Sequence, residues 1–256
     1  METLIIERSG GIVTVTLNRP EKKNAVDLSL WRQLQAALRE IADRSDDRVV
    51  ILTGAGGAFC SGADLGDPES AAMHGLPRMR LIDSVAIALH RLPQPTIAKV
   101  TGVAAGAGCN MALGCDLVVA SEEARFSEIF SLRGLSVDFG GSWLLPRLIG
   151  LHKAKELAFF AEIISAGDAE RIGIVNRVVP AAEIDGFVAD WAARLAAGPP
   201  LALSMSKAML NNSVGPSLEQ AIEVEAYAQS VNFTSADAGE AFRAFLEKRP
   251  PVFTGR

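Results

Sequence analysis

Short runs of β-branched residues alternate with longer segments of helical periodicity over most of this chain, and this alternation limits the possible folds more than any other feature. Ile12 to Leu17 reads IVTVTL with a period of two, and Arg48 to Thr53 is mostly apolar. Between them, Asp27 to Arg44 carries its leucines on one helical stripe, with Asp27 as a candidate N-cap. The pattern predicts an α/β fold with largely parallel, buried strands.

Further elements follow from the same periodicities. Strands are predicted at Leu4 to Glu7, Thr96 to Val103 and Leu117 to Ala120, and helices from about Pro77 to Leu92 and from Gly106 to Gly114, after an irregular stretch from Gly66 to Pro77. From Leu201 to Lys248 the pattern is almost entirely helical. Because Gly198, Pro199 and Pro200 interrupt the chain, we expect two regions: residues 1–197 hold the core, and residues 198–256 form a helical region.

The composition is that of an ordinary globular protein. Of 256 residues, 49% are hydrophobic and 21% are charged, with a formal net charge of -5, so disorder is not expected. No block of Lys and Arg could follow a phosphate backbone, which argues against nucleic-acid binding. The opening METLIIERSG does not resemble a secretory signal, and no run of about 20 apolar residues could span a bilayer. We therefore expect a cytoplasmic protein.

Cysteine and histidine are too sparse to predict a disulfide framework or a metal site. The three cysteines, Cys60, Cys109 and Cys115, include no CxxC pair, and the three histidines are widely spaced. Neither a GxxxxGK(S/T) loop nor a GxSxG elbow occurs. GAGCNM at Gly106 to Met111 opens like a dinucleotide fingerprint, but methionine stands at the third glycine position.

Two glycine-rich turns are the remaining candidates for chemistry. GAFCSGADL, from Gly57 to Leu65, directly follows a predicted strand, and GVAAGAGCNMALGCD runs from Gly102 to Asp116. Small residues let backbone amides approach a ligand closely, and a helix N-terminus adds partial positive charge. Two amides that converge on one oxygen would form an oxyanion hole. Taken singly, each turn could equally be no more than a tight turn.

Six segments, taken in order, resemble the enoyl-CoA hydratase/isomerase (crotonase) family. They are LNRPEKKNAV from Leu17, GAFCSGADL from Gly57, GAGCN from Gly106, the segment from Phe126 to Gly150, ISAGDAERIGIVNRVVP from Ile164, and AFLEKRPPVFTG near the C-terminus. The resemblance covers nearly the whole chain. It implies a ββα spiral core with a C-terminal helical region, an acyl-CoA substrate, and a homotrimer or hexamer.

The resemblance also implies how the substrate is held. Ala63 and Ala107 would donate their backbone N–H groups to the thioester carbonyl, although many members have glycine where this chain has Ala107. No metal or redox cofactor is implied, because the CoA is part of the substrate. The residues expected against the CoA or the acyl group are Lys23, Asn24, Ala25, Ser61, Asp64, Leu65, Gly106, Asn110, Phe130, Phe245 and Lys248, the last two sometimes on a neighbouring subunit.

At two positions the sequence departs from the hydratase pattern. Hydratases of the family carry two glutamates that act on the added water, and here those positions hold Asn110 and Phe130. Neither side chain can transfer a proton at neutral pH, so hydratase activity is less supported than overall similarity alone would suggest. Asp138, in SVDFGGSW, stands where isomerases of the family have an active-site aspartate, although Val137 replaces the usual preceding proline.

A single carboxylate suits double-bond migration, because it can take a proton from one carbon and return it to another. We therefore predict an enoyl-CoA isomerase with Asp138 as its base, whose pKa an apolar wall such as Phe130 would raise. Three alternatives stay open: Asp138 caps the helix that begins near Gly140, the chain binds acyl-CoA without chemistry, or Asp138 is a nucleophile in hydrolysis or dehalogenation. Glu128 and Glu162 are interpreted as surface or structural residues.

Overall fold

The alternating segments build two sheets and ten α-helices in the computed structural model, which describes residues 2–256. The strands are β1 (Leu4–Ser9), β2 (Ile12–Leu17), β3 (Val49–Gly54), β4 (Thr96–Val100), β5 (Val103–Ala105), β6 (Leu117–Ser121), β7 (Arg125–Ser127), β8 (Ile164–Ser165) and β9 (Arg177–Val179). The helices are α1 (Leu28–Asp43), α2 (Pro68–Ala72), α3 (Gly75–His90), α4 (Ala107–Leu113), α5 (Gly141–Phe160), α6 (Ala166–Ile172), α7 (Ile184–Ala196), α8 (Pro200–Asn211), α9 (Leu218–Thr234) and α10 (Ala236–Glu247). The predicted α/β class is confirmed.

The larger sheet has the strand order β1-β2-β3-β4-β6-β9, and within it only β1 and β2 pair antiparallel. β5, β7 and β8 form a second, smaller sheet. Alternate residues of β3 belong to two separate apolar clusters, Val50 and Leu52 to one and Val49 and Ile51 to the other. Burial on both faces explains why this strand is a continuous apolar run rather than an alternating one.

Helix α1 confirms both the predicted stripe and the predicted cap. Asp27 Oδ1 accepts a 2.8 Å hydrogen bond from the Leu30 amide, which satisfies one of the free N–H groups of the first turn. The side chains of Leu30, Leu34, Leu38 and Ile41 are buried in one cluster with side chains of β2 and β3. This helix therefore covers one face of the larger sheet.

The single strand predicted from Thr96 to Val103 is wrong, because the segment forms two strands in different sheets. The chain turns at Gly102, where φ is +58°. A Cβ at this position would lie 2.1 Å from the carbonyl oxygen of Gly57, so the close approach requires glycine. The turn carries β5 away from the larger sheet and against the loop that follows β3, where Phe59 N donates to Val103 O at 3.1 Å.

The stretch from Gly66 to Pro77 is also more regular than predicted. It contains α2 and the first turn of α3, which begins at Gly75. The side chains of Asp67 and His74 accept hydrogen bonds from the first amides of these helices. Side-chain caps start both helices earlier than the apolar periodicity alone indicated.

Helices α8 to α10 make up the C-terminal region, which begins near the predicted boundary at residue 198. Lys207 of α8 joins this region to the core, since its Nζ lies 2.7 Å from Asp116 Oδ2 and donates to Gln94 O at 3.0 Å. Helices α9 and α10 expose large apolar side chains, among them Tyr227 and Phe233. That the two regions are separate domains stays a prediction. Among residues 2–256, no helix is both long and apolar enough to cross a membrane.

Gly108 provides a test of the packing between α4 and the loop after β3. A Cβ at Gly108 would lie 2.3 Å from the carbonyl oxygen of Cys60 and 2.8 Å from its Cβ. We expect Gly108→Ala to lower the free energy of unfolding by about 1–3 kcal/mol. The control Gly186→Ala, at an exposed position of α7 with open space around it, should raise it by about 0.5–1 kcal/mol. Urea unfolding of both variants checks this; equal effects would contradict the close approach.

Candidate active site

The two glycine-rich turns lie side by side in the structure. Cys60 and Ala104 form an isolated parallel bridge, and Ala105 N donates to Cys60 O at 2.9 Å. A Cβ at Gly62 would lie 3.8 Å from the backbone nitrogen of Ala107. The turn that contains Ala63 therefore meets the N-terminus of α4, as the oxyanion-hole prediction requires.

Two backbone amides of these turns are left without acceptors. Val26 donates to Gly62 O at 2.8 Å and accepts from Asp64 N at 2.9 Å, so the N–H of Ala63 points away from that bridge. The N–H of Ala107 is the first of α4, and first-turn amides have no partner within their helix. Neither amide donates a hydrogen bond to any residue in the part of the chain that the structure describes. Both can therefore donate to a ligand oxygen.

Alanine at position 107 is compatible with an oxyanion hole, because the backbone conformation that favours glycine is adopted by the preceding residue, Gly106. Gly106 is the N-cap of α4 and has φ +54° and ψ -128°, a conformation that L side chains rarely adopt. Ala107 itself is helical. Gly106 is held in place from both sides: its N–H donates to Ser127 O at 2.9 Å, and its carbonyl accepts from Asn110 N at 3.0 Å.

The loop predicted to lie against the CoA is braced from within by the Asn24 side chain. That side chain is fully buried. Its Oδ1 accepts from Arg19 N at 2.9 Å, and its Nδ2 donates to the carbonyls of Ala55 and Ala58 at 2.9 and 2.7 Å. The side-chain amide is therefore satisfied inside the protein and shapes the loop, and contact of Asn24 with CoA stays a prediction.

Asp64 is likewise engaged with its neighbours. Its Oδ2 lies 2.9 Å from Arg19 Nη2, which also pairs with Asp27, and its Oδ1 accepts from Gly66 N at 3.0 Å. Arg19 further donates to the carbonyl of Ala25, a buried residue. This network joins the 19–27 segment to the turn that contains Ala63, so Asp64 and Ala25 are placed as structural supports of the site.

The other predicted residues near this turn are more accessible. Lys23 is exposed and left-handed, with φ +50°. Ser61 is half-buried, and its N–H donates to Lys23 O at 3.0 Å. Leu65 exposes 72% of its surface. These three residues lie within four positions of Ala63 or bond to its turn, so their predicted contact with an acyl-CoA is compatible with the structure.

Asn110 and Phe130, at the two hydratase-glutamate positions, are both buried. The Phe130 ring lies 3.6 Å from where a Cβ on Gly106 would be. Asn110 has no exposed surface, and its Nδ2 donates to Glu128 Oε2 at 3.2 Å and to the backbone oxygen of Asp138 at 3.0 Å. The structure thus gives Asn110 a supporting position between Glu128 and the Asp138 backbone, and its contact with a substrate stays a prediction.

Asp138 does not cap the helix that follows it, which excludes one of the alternatives. The N-cap of α5 is Gly140, and no side chain bonds to the first amides of that helix. Asp138 Oδ1 is buried and has no hydrogen-bond partner among residues 2–256. Burial, reinforced by the negative charge of Asp83 on α3, raises the pKa of Asp138 to about 6. At neutral pH this carboxyl is therefore mostly ionised and free to accept a proton.

Of the two positions that the sequence allowed for Glu128, surface or structural, the structure excludes the surface. Glu128 is buried, with 2% of its surface exposed, so it is not a surface residue. Burial, together with the charge of Asp138, raises its pKa to about 7. The signal that could have indicated its burial is its position directly after the buried strand β7, close to the segment with Asp138. Glu162 is exposed, as predicted.

The C-terminal candidates are not brought to the two turns within one chain. Phe245 exposes 81% of its surface, and Lys248 is the exposed C-cap of α10. The hydrogen bonds of Asp237 tie the start of α10 to Thr254 and Gly255 near the C-terminus. Contact of Phe245 or Lys248 with a CoA stays a prediction that involves a neighbouring subunit.

Among residues 2–256, no three or more His, Cys, Asp or Glu side chains are grouped as a metal site would require. The three cysteines are buried and free, and burial raises the pKa of Cys60 to about 12. That thiol is therefore protonated at neutral pH. The absence of a metal or redox cofactor from the reaction stays a prediction.

Known proteins share both the sequence pattern and the fold. The family model for enoyl-CoA hydratase/isomerase matches residues 7–256. The chain is 37% identical over 261 residues to the 1,2-epoxyphenylacetyl-CoA isomerase of Escherichia coli K12, covering 100% of both chains. It is 35% identical over 251 residues to the short-chain-enoyl-CoA hydratase of Clostridium acetobutylicum, covering 97% of this chain and 96% of that protein.

A solved structure gives the same result for the fold. The crystal structure of an enoyl-CoA hydratase from Bacillus anthracis matches with a TM-score of 0.94 at 33% sequence identity. The match covers 100% of each chain. The spiral core with C-terminal helices, which the resemblance implied, is thereby confirmed.

The raised pKa of Asp138 predicts a pH-dependent effect on stability. Because the folded-state pKa lies above the ordinary value, the protonated form contributes stability that is present below pH 3.8 and lost as the pH rises through about 6. We expect Asp138→Asn to raise the free energy of unfolding at pH 8 by up to about 2 kcal/mol, with little effect at pH 4. Urea unfolding at both pH values checks this, with exposed Asp46→Asn as the control. A variant less stable than the parent at pH 8 would contradict it.

Proposed function

The chain belongs to the enoyl-CoA hydratase/isomerase family, and on this premise we propose that it shifts the double bond of an enoyl-CoA, with Asp138 as the single base. The family makes the chain an acyl-CoA enzyme. The choice of isomerisation is supported by the contents of the site. Asp138 is half-buried, one of its carboxylate oxygens is buried without a partner among residues 2–256, and its backbone oxygen is bonded to Asn110 of α4. Both positions that serve hydration hold residues that carry no transferable proton.

The free amides of Ala63 and Ala107 supply the electrostatic part of the proposed reaction. They would donate to the thioester oxygen, on which negative charge develops when a proton leaves the neighbouring carbon. Preorganised backbone donors are effective in this role because they need no reorganisation during the reaction, and loss of one such donor elsewhere lowers the rate by about 10²–10³-fold. The braced turn and the N-terminus of α4 hold both donors rigidly.

Asp138 carries out both proton transfers in this proposal. Starting from a 3-enoyl-CoA, its carboxylate takes a proton from C2, and the electron pair moves to the carbonyl oxygen to give a dienolate. The protonated carboxyl then returns the proton to C4, the double bond forms between C2 and C3, and the carbonyl is restored. No water or other reactant is consumed. A base with a pKa of about 6 is ionised at neutral pH, yet basic enough to accept the proton.

Hydration has less support from the same residues. It requires acid and base groups that position a water and transfer its proton, and Asn110 and Phe130 supply neither. Glu128 is the other acid nearby, but its side chain is buried and bonded to Asn110. Of the two relatives described above, one is named as an isomerase and one as a hydratase. The choice between the two reactions therefore rests on the residues of the site and not on the names of relatives.

A protein that binds acyl-CoA without chemistry is the second candidate. The observation in its favour is the same pair of non-acidic residues, Asn110 and Phe130, in an otherwise intact site. This candidate predicts tight binding of acyl-CoA and no hydrogen exchange at C2. Asp138 separates the two functions, because a pure binder has no use for a carboxylate with a buried, unpartnered oxygen, which destabilises the fold.

Assembly into a homotrimer or hexamer belongs to the same proposal. Its support is the set of large apolar side chains that a single chain leaves exposed on α9 and α10: Leu218, Ile222, Tyr227, Phe233, Phe242, Phe245 and Leu246. Such an assembly could bring Phe245 and Lys248 to the site of a neighbouring chain. A cytoplasmic location, and CoA as the only cofactor-like group, remain predictions.

The test uses 3-enoyl-CoA and 2-enoyl-CoA incubated with the protein in deuterated water and followed by mass spectrometry. We expect interconversion of the two and deuterium uptake without hydration. Asp138→Asn should lower both rates by about 10²–10⁴-fold, because general-base catalysis is lost. The exposed Asp46→Asn variant should keep full activity.

Other outcomes would point elsewhere. An Asp138→Asn variant with unchanged turnover would contradict the proposed base. Binding without exchange in the parent protein would favour the pure binder. An acyl adduct on Asp138, seen as added protein mass, would identify a nucleophile instead of a base.

A further inference from the structure

Glu128 is a buried acid that the proposed reaction does not use, and its backbone is anchored to the oxyanion turn. It directly follows β7, whose last residue, Ser127, accepts the hydrogen bond from Gly106 N. The Ser127 hydroxyl donates to Ala161 O at 3.0 Å. Ser127, the residue before Glu128, is therefore fixed by two hydrogen bonds, next to the N-cap of α4.

The side chain of Glu128 is enclosed and incompletely bonded. Oε2 accepts from Asn110 Nδ2 at 3.2 Å, whereas Oε1 has no partner within residues 2–256. The surrounding apolar side chains are Phe126, Leu145, Leu157, Ile164 and Ile174. Because a buried carboxyl with an unpartnered oxygen destabilises a fold, stability alone gives no reason for a glutamate here.

Asn110 connects Glu128 to the segment that carries Asp138. The same Nδ2 that donates to Glu128 also donates to the backbone oxygen of Asp138, at 3.0 Å. The backbone of Gly141, the first residue of α5, packs closely against this amide, since a Cβ added at Gly141 would lie 2.5 Å from Asn110 Oδ1. Asn110 also lies one helical turn after Ala107 on α4. The Asn110 side-chain amide thus links the segment of the base, Asp138, to the helix whose N-terminus carries an amide of the proposed oxyanion hole. Glu128 is the side-chain acceptor for this amide.

We propose that Glu128 is a positioning residue: it orients the Asn110 amide, and through that amide it fixes the Asp138 backbone relative to the oxyanion hole. The role rests on the proposed isomerase function. Glu128 does not contact substrate, so its effect is on the placement of the base. Misplacing a reacting group by a fraction of an ångström to an ångström is enough to slow a reaction strongly.

The charges around Glu128 are consistent with this role. Cys109 and Asp138 are the titratable groups that face it, and Asp83 faces Asp138 in turn. Burial and the ionised Asp138 raise the pKa of Glu128 to about 7. Each ionised carboxylate therefore disfavours ionisation of the other.

Glu128→Leu and Glu128→Gln test the proposal through activity and stability together. Glutamine keeps an acceptor for Asn110 and leucine does not. We expect Glu128→Leu to lower kcat roughly 10- to 100-fold with little change in KM, while its melting temperature stays equal or rises because a buried carboxyl is gone. Glu128→Gln should restore most of kcat. The exposed Glu162→Gln serves as the control. An active Glu128→Leu, or a Glu128→Gln as slow as Glu128→Leu, would overturn the proposal.

A second measurement needs neither turnover nor the leucine variant. The ¹³C-carboxyl signal of Asp138, assigned by its loss in Asp138→Asn, is followed against pH. We expect the titration of Asp138 to extend over a wider pH range in the parent than in Glu128→Gln, because a neighbouring Glu128 ionises only in the parent. Identical titrations of Asp138 in the two proteins would overturn the proposal. If the parent catalyses no isomerisation but the two titrations differ, the proposed function has failed and the Glu128–Asp138 coupling stands.

Discussion

The close backbone approach between the loop after β3 and the N-terminus of α4 is the constraint on which the rest of this structure depends. Gly108 leaves no room for a side chain against Cys60, and Gly62 approaches the backbone of Ala107. The two segments that approach each other carry the amides of Ala63 and Ala107, which have no acceptor in the described chain. The second sheet, the braced loop around Asn24 and the unusual backbone of Gly106 all serve to hold those two short segments together.

Near these two amides, the protein holds two carboxyl groups whose burial lowers the stability of the fold. Asp138 and Glu128 each keep an oxygen with no partner among residues 2–256, and burial raises the pKa of both. Natural folds accept such destabilisation mainly at functional sites. Asn110 connects the two acids, since its Nδ2 donates to the Glu128 carboxylate and to the backbone oxygen of Asp138, and in our proposal it positions the base.

Sequence patterns predicted helices and strands well where the residues that determine them are close together in the chain. The cap at Asp27 and the alternation of β2 follow from residues a few positions apart, and the structure confirms them. The break at Gly102 could not be predicted, because it is imposed by Gly57, which is distant in sequence. The same holds for the site: the resemblance identified the turns and Asp138, but the burial of Asn24 and the pairing of Glu128 with Asn110 depend on contacts across the fold.

The central claim is that one carboxyl, Asp138, both removes and returns the proton above a fixed oxyanion hole. A 3-enoyl-CoA carrying two deuterium atoms at C2, converted in ordinary water under single-turnover conditions, tests it directly. If one base does both steps faster than its proton exchanges with water, part of the deuterium must appear at C4 of the 2-enoyl-CoA product. Product with no deuterium at C4 would mean that a second group or bulk water delivers the proton, and would contradict the account.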